Sequence, residues 1–287
     1  MVESCQMAGP IDLCKLCRKV KELRDSHLLS ASVYKKLRSV YLSNPDNLNP
    51  DPIAVTGGKA RQTSKQTTDY LLCSDCEGIL DRMGEKHVLP LLADMAGFRL
   101  YDLSTNSNSA AVDLPIYLCA NVPSLDCEKI THFATGIFWK AAVHSWRSGA
   151  STVKLDLGGH EGRLREYLLG AKPFPDDVLL VVRIAPPSVP LLWAVAPSSA
   201  RDVRLGRYRF YVPGIEFSLH VEEQAVRELR DCCFVHNPAH PVFEDLDVAL
   251  MIGKLYRDTF LPAEKSSRLS AGLKKRRERL SPQRGQE

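Results

Sequence analysis

The chain has 287 residues, of which 44% are hydrophobic and 25% are charged. These values are ordinary for a globular protein, so they exclude a disordered chain, and the length favours two domains over one. The formal net charge is +4, but residues 15–65 hold 11 basic against 4 acidic side chains, and residues 265–287 hold 8 against 2. Both segments are suited to contact with a polyanion such as nucleic acid.

The cellular location is predicted from what the chain lacks. Its first residues have neither the basic nor the apolar region of a secretory signal, and the most apolar window, 178–197, is interrupted by Arg183 and four prolines. A segment with these prolines cannot form a continuous helix across a bilayer. The sequence therefore predicts a soluble, cytoplasmic protein with no membrane partner. It gives no indication of the oligomeric state.

Four of the nine cysteines form two Cys-x-x-Cys pairs, Cys14 with Cys17 and Cys73 with Cys76. A disulfide framework is not expected in a cytoplasmic protein, and two pairs at this spacing are typical of a tetrahedral thiolate site for a structural Zn²⁺. The plainer alternative is four separate buried thiols. We favour zinc, because the two matched pairs flank a single basic loop.

The first half has the pattern of a small zinc-bound module, assigned here to residues 11–95. Its predicted elements, in chain order, are a strand over 18–23, a helix over 31–42, a mobile insertion over 43–66, a strand over 67–72 and a helix from about 76 to 90. A second cysteine pair at a helix N-terminus is the layout of a treble-clef zinc finger. The helix dipole and free backbone N–H groups stabilise thiolates there.

The second half, residues 96–262, predicts a larger domain whose role the sequence does not indicate. Its predicted elements are a strand over 114–119, helices over 130–146 and 160–169, strands over 178–184, 191–196, 208–212 and 215–221, and a last helix over 244–260. This is a mainly antiparallel sheet with helices on it, so the fold class of the whole chain is α+β. Residues 263–287 are predicted to be a basic, disordered tail.

The motif residues of the first half resemble those of the HNH endonuclease superfamily, in the subgroup with a structural zinc held by four cysteines. The resemblance covers about residues 11–87 and is carried by the two cysteine pairs and by Asp25-Ser26-His27. It implies a ββα-metal core that hydrolyses phosphodiester bonds with Mg²⁺ or Mn²⁺. His27 falls on the general base, with Asp25 beside it, and Glu77 falls on the last metal-ligand position. The family's orienting Asn is expected where this chain has Thr67, Thr68 and Asp69.

These residue types suit that chemistry. Imidazole titrates near neutral pH, so His27 can accept a proton from water while a divalent ion clamps the phosphate. The carboxylate of Glu77 is a hard ligand for such an ion. We expect the substrate to be DNA more than RNA, with phosphates held by basic residues of the helix over 31–42: Lys35, Lys36 and Arg38.

Other interpretations remain open. His27 also fits a helix-entry position with Ser26 as the N-cap, and Glu77 fits the helix N-terminus through the dipole alone. The second functional hypothesis is therefore a non-catalytic zinc module that binds nucleic acid or a protein. His132 and His144, on the apolar helix over 130–146, are expected to serve in packing or at its edge.

Overall fold

The computed structural model describes residues 9–42, 51–56, 59–94, 97–107, 116–149, 151–185, 193–199, 207–244, 257–258 and 261–262. It is a mixed fold of helices with antiparallel and mixed sheets, as the predicted α+β class requires. The predicted last helix falls mostly, and the predicted tail entirely, outside the described residues.

The described strands are β1 (Ile11–Leu13), β2 (Val20–His27), β3 (Ile53–Thr56), β4 (Lys59–Gln62), β5 (Thr68–Cys73), β6 (Ile116–Leu118), β7 (Trp146–Ser148), β8 (Ser151–Val153), β9 (Leu179–Ile184), β10 (Val195–Ser199), β11 (Arg207–Val212), β12 (Ile215–His220) and β13 (Pro241–Glu244). The described α-helices are α1 (Ala31–Leu42), α2 (Ser74–Leu80), α3 (Lys86–Val88), α4 (Arg99–Ser107), α5 (Cys127–Val143), α6 (His160–Leu168) and α7 (Glu223–Leu229). A π-helical turn, Asp81–Glu85, joins α2 to α3.

A three-stranded antiparallel sheet, in the order β1-β2-β5, organises the first half. The register shifts between Arg24 and Asp25, whose partners are Leu72 and Tyr70, so Leu71 is an extra residue that forms a bulge in β5. The buried hydroxyl of Ser26 accepts the backbone N–H of Leu72 across this bulge at 3.1 Å. Ser26 therefore holds β2 against β5 and does not cap a helix. That task falls to Ser30, whose hydroxyl accepts the N–H of Ser32 at the start of α1.

A six-stranded sheet, in the order β10-β11-β12-β9-β13-β6, organises the second half. All neighbouring strands run antiparallel except β13 and β9, which are parallel. One face of the sheet packs against α5 through aromatic side chains. Phe138 of α5 packs edge to face on Phe210 of β11, with 4.9 Å between the ring centroids. The ring centroids of Phe133, also on α5, and Phe217 of β12 are 5.9 Å apart.

Helix α5 lies between the two sheets and is buried along most of its length. It begins where the Asp126 carboxylate accepts the N–H of Lys129, which satisfies a free donor of the first turn. One continuous cluster of buried side chains includes Leu23 and Leu72 from the first sheet, Phe138 from α5 and Leu219 from the second sheet. The two halves of the chain therefore share a hydrophobic core.

Several predicted elements are confirmed and others differ. The helix over 31–42 is present as α1, and the strands over 178–184, 208–212 and 215–221 are present within one or two residues. The predicted mobile insertion over 43–66 contains an ordered strand pair, in which β3 runs antiparallel to β4. None of the described helices has the length and apolar character needed to cross a membrane.

Candidate functional site

The four cysteines of the two Cys-x-x-Cys pairs converge in the first half of the fold. Cys14 and Cys17 lie in the turn between β1 and β2, which is closed by the N–H of Arg18 donating to the carbonyl of Cys14 at 2.8 Å. Arg18 takes a left-handed conformation, with φ of 57°, that reverses the chain there. Cys73 ends β5, and Cys76 lies in the first turn of α2.

Strand pairing brings these two turns together. Leu23 of β2 pairs with Cys73 of β5, and the N–H of Lys15 donates to the carbonyl of Leu71 at 3.2 Å. The second half supports the same turn, because the Arg165 guanidinium of α6 donates to the carbonyl of Leu16 at 2.9 Å. Backbone contacts on both sides therefore fix where the cysteine side chains lie.

The four cysteine Sγ atoms all lie within 4.8 Å of one another. Three of the residues are at most 2% exposed, and Cys17 is partly exposed. A tetrahedral zinc with Zn–S bonds of about 2.3 Å requires S–S separations of about 3.8 Å. The separation of 3.9 Å between Cys17 Sγ and Cys73 Sγ matches this value. The cluster could therefore hold a metal ion with a small adjustment of the side chains.

The electrostatics of the cluster favour one thiolate over four thiols. A hydrogen bond from the Cys76 thiol, together with backbone N–H donors, lowers the pKa of Cys14 to about 4. One of these donors is the N–H of Cys73, 3.3 Å from Cys14 Sγ. The hydrogen bond that the Cys76 thiol donates to Cys14, together with burial, raises the pKa of Cys76, and burial raises the pKa of Cys73. A divalent cation among the four sulfurs would oppose these increases, since metal binding deprotonates coordinating thiols.

His27, the predicted general base, is the last residue of β2 and pairs with Thr68 of β5. The carbonyl oxygen of His27 accepts a hydrogen bond of 2.7 Å from Nζ of Lys140, on α5. Lys140 is only 2% exposed, and the carboxylate of Glu85 lies 4.0 Å from its ammonium. The backbone at His27 is therefore hydrogen-bonded to a buried lysine from the second half of the chain.

Glu77 and Asp25 have different surroundings. Glu77 lies in the first turn of α2, and its Oε1 atom is buried without a hydrogen-bond partner. Asp25 is exposed in β2 and pairs with Tyr70. Within the described parts of the chain, the four cysteines are the only group of three or more His, Cys, Asp or Glu residues with ligand atoms this close together. The catalytic roles of His27, Asp25 and Glu77 stay predictions.

The predicted phosphate-binding residues on α1 also differ from one another. Lys36 donates to the carbonyl of Leu92 and to the carboxylate of Asp94, both at 3.0 Å, so its ammonium already has two internal acceptors. Arg38 lies 3.8 Å from Asp51. Lys35 is exposed. Among the three, Lys35 is the side chain whose position best suits contact with a polyanion.

Sequence reasoning missed two contacts that α5 makes with the first half. The sequence carries a signal for the first contact, because Lys140 follows Ile137-Phe138-Trp139 and precedes two alanines, and a lysine within such an apolar run needs a buried acceptor nearby. His144 was assigned to packing or the helix edge, and it is found at the end of α5 with Nε2 2.9 Å from Oδ2 of Asp69. The partner could not be read from a separation of 75 residues.

Comparison with known proteins does not indicate a function for this site. No protein-family model, curated protein or solved structure matches this chain. The function must therefore be argued from its own residues.

Proposed function

We propose that residues 11–95 form a module of the treble-clef, ββα-metal type in which the four cysteines hold a structural Zn²⁺. The support is the cluster of four Sγ atoms within 4.8 Å, set between an antiparallel strand pair and the first turn of α2. Zinc suits this donor set, because four thiolates in tetrahedral geometry are its usual structural site. A bound metal would join the turn between β1 and β2 to the junction of β5 with α2.

We further propose that the module hydrolyses phosphodiester bonds of nucleic acid in the manner of the HNH endonucleases. The observation that carries this proposal is the buried, unpartnered Oε1 of Glu77, directly after Cys76. A buried carboxylate oxygen without a donor is costly, and a cation is one partner that would satisfy it. Glu77 is also the residue that the resemblance places at the metal-ligand position.

In this mechanism His27 accepts a proton from the attacking water. Lys140 keeps the end of β2 in place through the carbonyl of His27, and Glu77 would provide a carboxylate ligand from α2. A bound Mg²⁺ or Mn²⁺ would stabilise the negative charge that develops on the phosphate oxygens. Lys35, whose side chain is exposed, would contact the phosphate backbone of the substrate.

The test uses the zinc-loaded 287-residue chain with plasmid, single-stranded DNA and RNA, each with Mg²⁺ or Mn²⁺. The wild type should cleave at least one substrate, and His27→Ala should lose about 10² to 10⁴ in rate if His27 is the base. Glu77→Gln should weaken Mn²⁺ binding in a calorimetric titration and reduce cleavage in parallel. His236→Gln is the matched control, because the His236 ring bonds to backbone carbonyls far from this site in the sequence. Equal cleavage by wild type and His27→Ala would refute the assignment.

A non-catalytic module that binds nucleic acid or a protein is the second candidate. It is favoured by the lack of a second group of three converging ligands among the described residues and by the excess of basic side chains in residues 15–65. Fluorescence anisotropy with labelled DNA distinguishes the two. Binding that weakens linearly with the logarithm of salt concentration, without cleavage under any metal, would support the second candidate.

A further inference from the structure

The six-stranded sheet has a second face, which points away from α5. Phe217 of β12 packs on α5, so the residues on either side of it in the strand, Glu216 and Ser218, point the other way. The strand register places further polar residues on this second face. Together they form one group, called here the polar cluster, which consists of Arg183, Arg207, Arg209, Glu216, Ser218 and His220. The polar cluster therefore contains three arginines and a single glutamate.

Apolar side chains border the polar cluster at both ends. At one end Leu179, which pairs with His220, belongs to a small apolar cluster with α7. At the other end Tyr211, which pairs with Glu216, belongs to a second apolar cluster with Trp193. Apolar surroundings lower the local dielectric constant, so hydrogen bonds and charge interactions within the polar cluster are stronger than in water.

The glutamate of the polar cluster fixes two of its arginines. Oε1 of Glu216 accepts hydrogen bonds from Nη1 of Arg183 at 3.1 Å and from Nη2 of Arg207 at 3.2 Å. The hydroxyl of Ser218 donates to the same oxygen at 3.0 Å. The Glu216 side chain is 4% exposed, whereas that of Arg207 is 28% exposed. The guanidinium of Arg207 is therefore held at its inner side and can be reached by a small ion from solvent.

Two residues of the polar cluster carry buried nitrogen atoms that have no hydrogen-bond partner. These atoms are both ring nitrogens of His220, which is 2% exposed, and Nε of Arg207. The two residues pair across β11 and β12, so their Cα atoms are about 5 Å apart. Buried polar groups without a partner are destabilising, and native folds rarely leave three so close together. One small polar ligand between the two side chains would satisfy all three atoms.

The chemistry of these nitrogens indicates the kind of ligand. Burial and the two nearby arginines lower the pKa of His220 to about 4, so its imidazole is neutral at pH 7 and has one N–H donor and one acceptor nitrogen. Nε of Arg207 is a donor. The ligand therefore needs acceptor oxygens together with a hydroxyl. Inorganic phosphate carries both at neutral pH, and guanidinium groups are well suited to phosphate oxygens.

We propose that the polar cluster is a binding site for inorganic phosphate, whose oxygens accept from Arg207 and His220 and whose hydroxyl donates to the other imidazole nitrogen. Arg183 and Arg209 add positive charge to the same face, which attracts the anion. This site lies on the side of the sheet opposite α5. It does not rest on the proposed nuclease function.

The choice of ligand is tested by calorimetric titration of the zinc-loaded 287-residue chain with sodium phosphate. Mg²⁺ and Mn²⁺ are left out, so that phosphate bound through such an ion is not measured. The wild type should bind one phosphate per chain. Sulfate at the same ionic strength should bind about 10-fold more weakly, because it has no proton to donate to the imidazole. Sulfate binding as tight as that of phosphate would overturn the assignment.

Variants test the two residues that hold the anion. His220→Phe keeps a ring and removes both nitrogens, and Arg207→Gln removes the guanidinium. Each should weaken phosphate binding by about 10-fold or more. Arg163→Gln is the matched control, because it removes an arginine that is also bonded to a carboxylate, that of Asp177 at 2.6 Å, and it should bind phosphate as the wild type does.

A measurement on the wild type covers the case in which a variant does not fold. Among the imidazole nitrogen signals of the eight histidines in an NMR spectrum, those of one buried histidine should shift as phosphate is added and saturate at the calorimetric midpoint. No saturable binding by the wild type, or equal affinity in the wild type, His220→Phe and Arg207→Gln, would overturn the site. Either result would leave the nuclease proposal as it stands, because cleavage is not measured.

Discussion

Replacing Cys73 by Ser should remove the metal and destabilise the chain. Cys73 is 2% exposed, and its Sγ lies 3.9 Å from Cys17 Sγ. It is the last residue of β5 and directly precedes α2. A ligand at 100 times its dissociation constant stabilises the folded state by about 2.7 kcal/mol. For a chain of this size each 1 kcal/mol changes Tm by about 2 to 4 °C, so Cys73→Ser should lower Tm by about 5 to 11 °C at that level of free zinc.

The assay combines native mass spectrometry with thermal melts in zinc and in a strong chelator. Wild type should lose the mass of one zinc on chelation, and its Tm should fall toward that of Cys73→Ser, which should not respond to the chelator. Cys119→Ser is the matched control, because Cys119 is also buried, at 1% exposure, but lies outside the cluster. It should lose stability and keep both the zinc and the response to chelation. A wild-type mass and Tm that chelation does not change would refute the metal site.

Two further predictions concern stability alone. His220 is 2% exposed, and burial with two nearby arginines lowers its pKa to about 4. As the pH falls, the unfolded state binds a proton at this histidine first, near pH 6.5, while the folded state does so only near pH 4. The free energy of unfolding should therefore be highest above pH 6.5 and should fall by about 3 kcal/mol between pH 6.5 and pH 4 because of this one residue. The free energy of unfolding should therefore depend less on pH in His220→Phe, and equal slopes over this range would contradict the argument. Gly84→Ala would place a methyl group 2.8 Å from the backbone of Phe133 and should lower the free energy of unfolding by about 1 to 3 kcal/mol. Gly162→Ala is the control, because the space around Gly162 is open, and it should leave stability unchanged or raise it. Equal changes in Tm for the two variants would contradict the close packing at Gly84.

The elements of the fold that could be predicted are those with a strong local pattern. Helix α1 and strand β9 each carry an apolar pattern that local spacing reveals, and both are found near their predicted bounds. Strand β13 was missed, because its four residues pair in parallel with β9 and antiparallel with β6, and neither partner is close in the sequence. Helix α4 was missed because it lies in a polar passage that resembles a loop.

Some features of the candidate site could be predicted from the sequence and others could not. The convergence of the four cysteines follows from their spacing, because that spacing matches a known coordination geometry. The surroundings of His27 could not be predicted from residue spacing, since its carbonyl accepts a hydrogen bond from a lysine 113 residues away. Asp69 was noted only as a candidate orienting residue, and its bond to His144 depends on how α5 packs on the first sheet.

Helix α5 explains why the two halves were separable in the sequence and are joined in the fold. Its apolar faces pack on the six-stranded sheet, which is the role that its composition predicts. Its polar residues, Lys140 and His144, instead bind the strand ends of the first half. A lysine this deeply buried is destabilising unless its ammonium is satisfied, and the carbonyl of His27 and the carboxylate of Glu85 supply acceptors for it. The second half is therefore coupled to the candidate site through the same helix that forms its core.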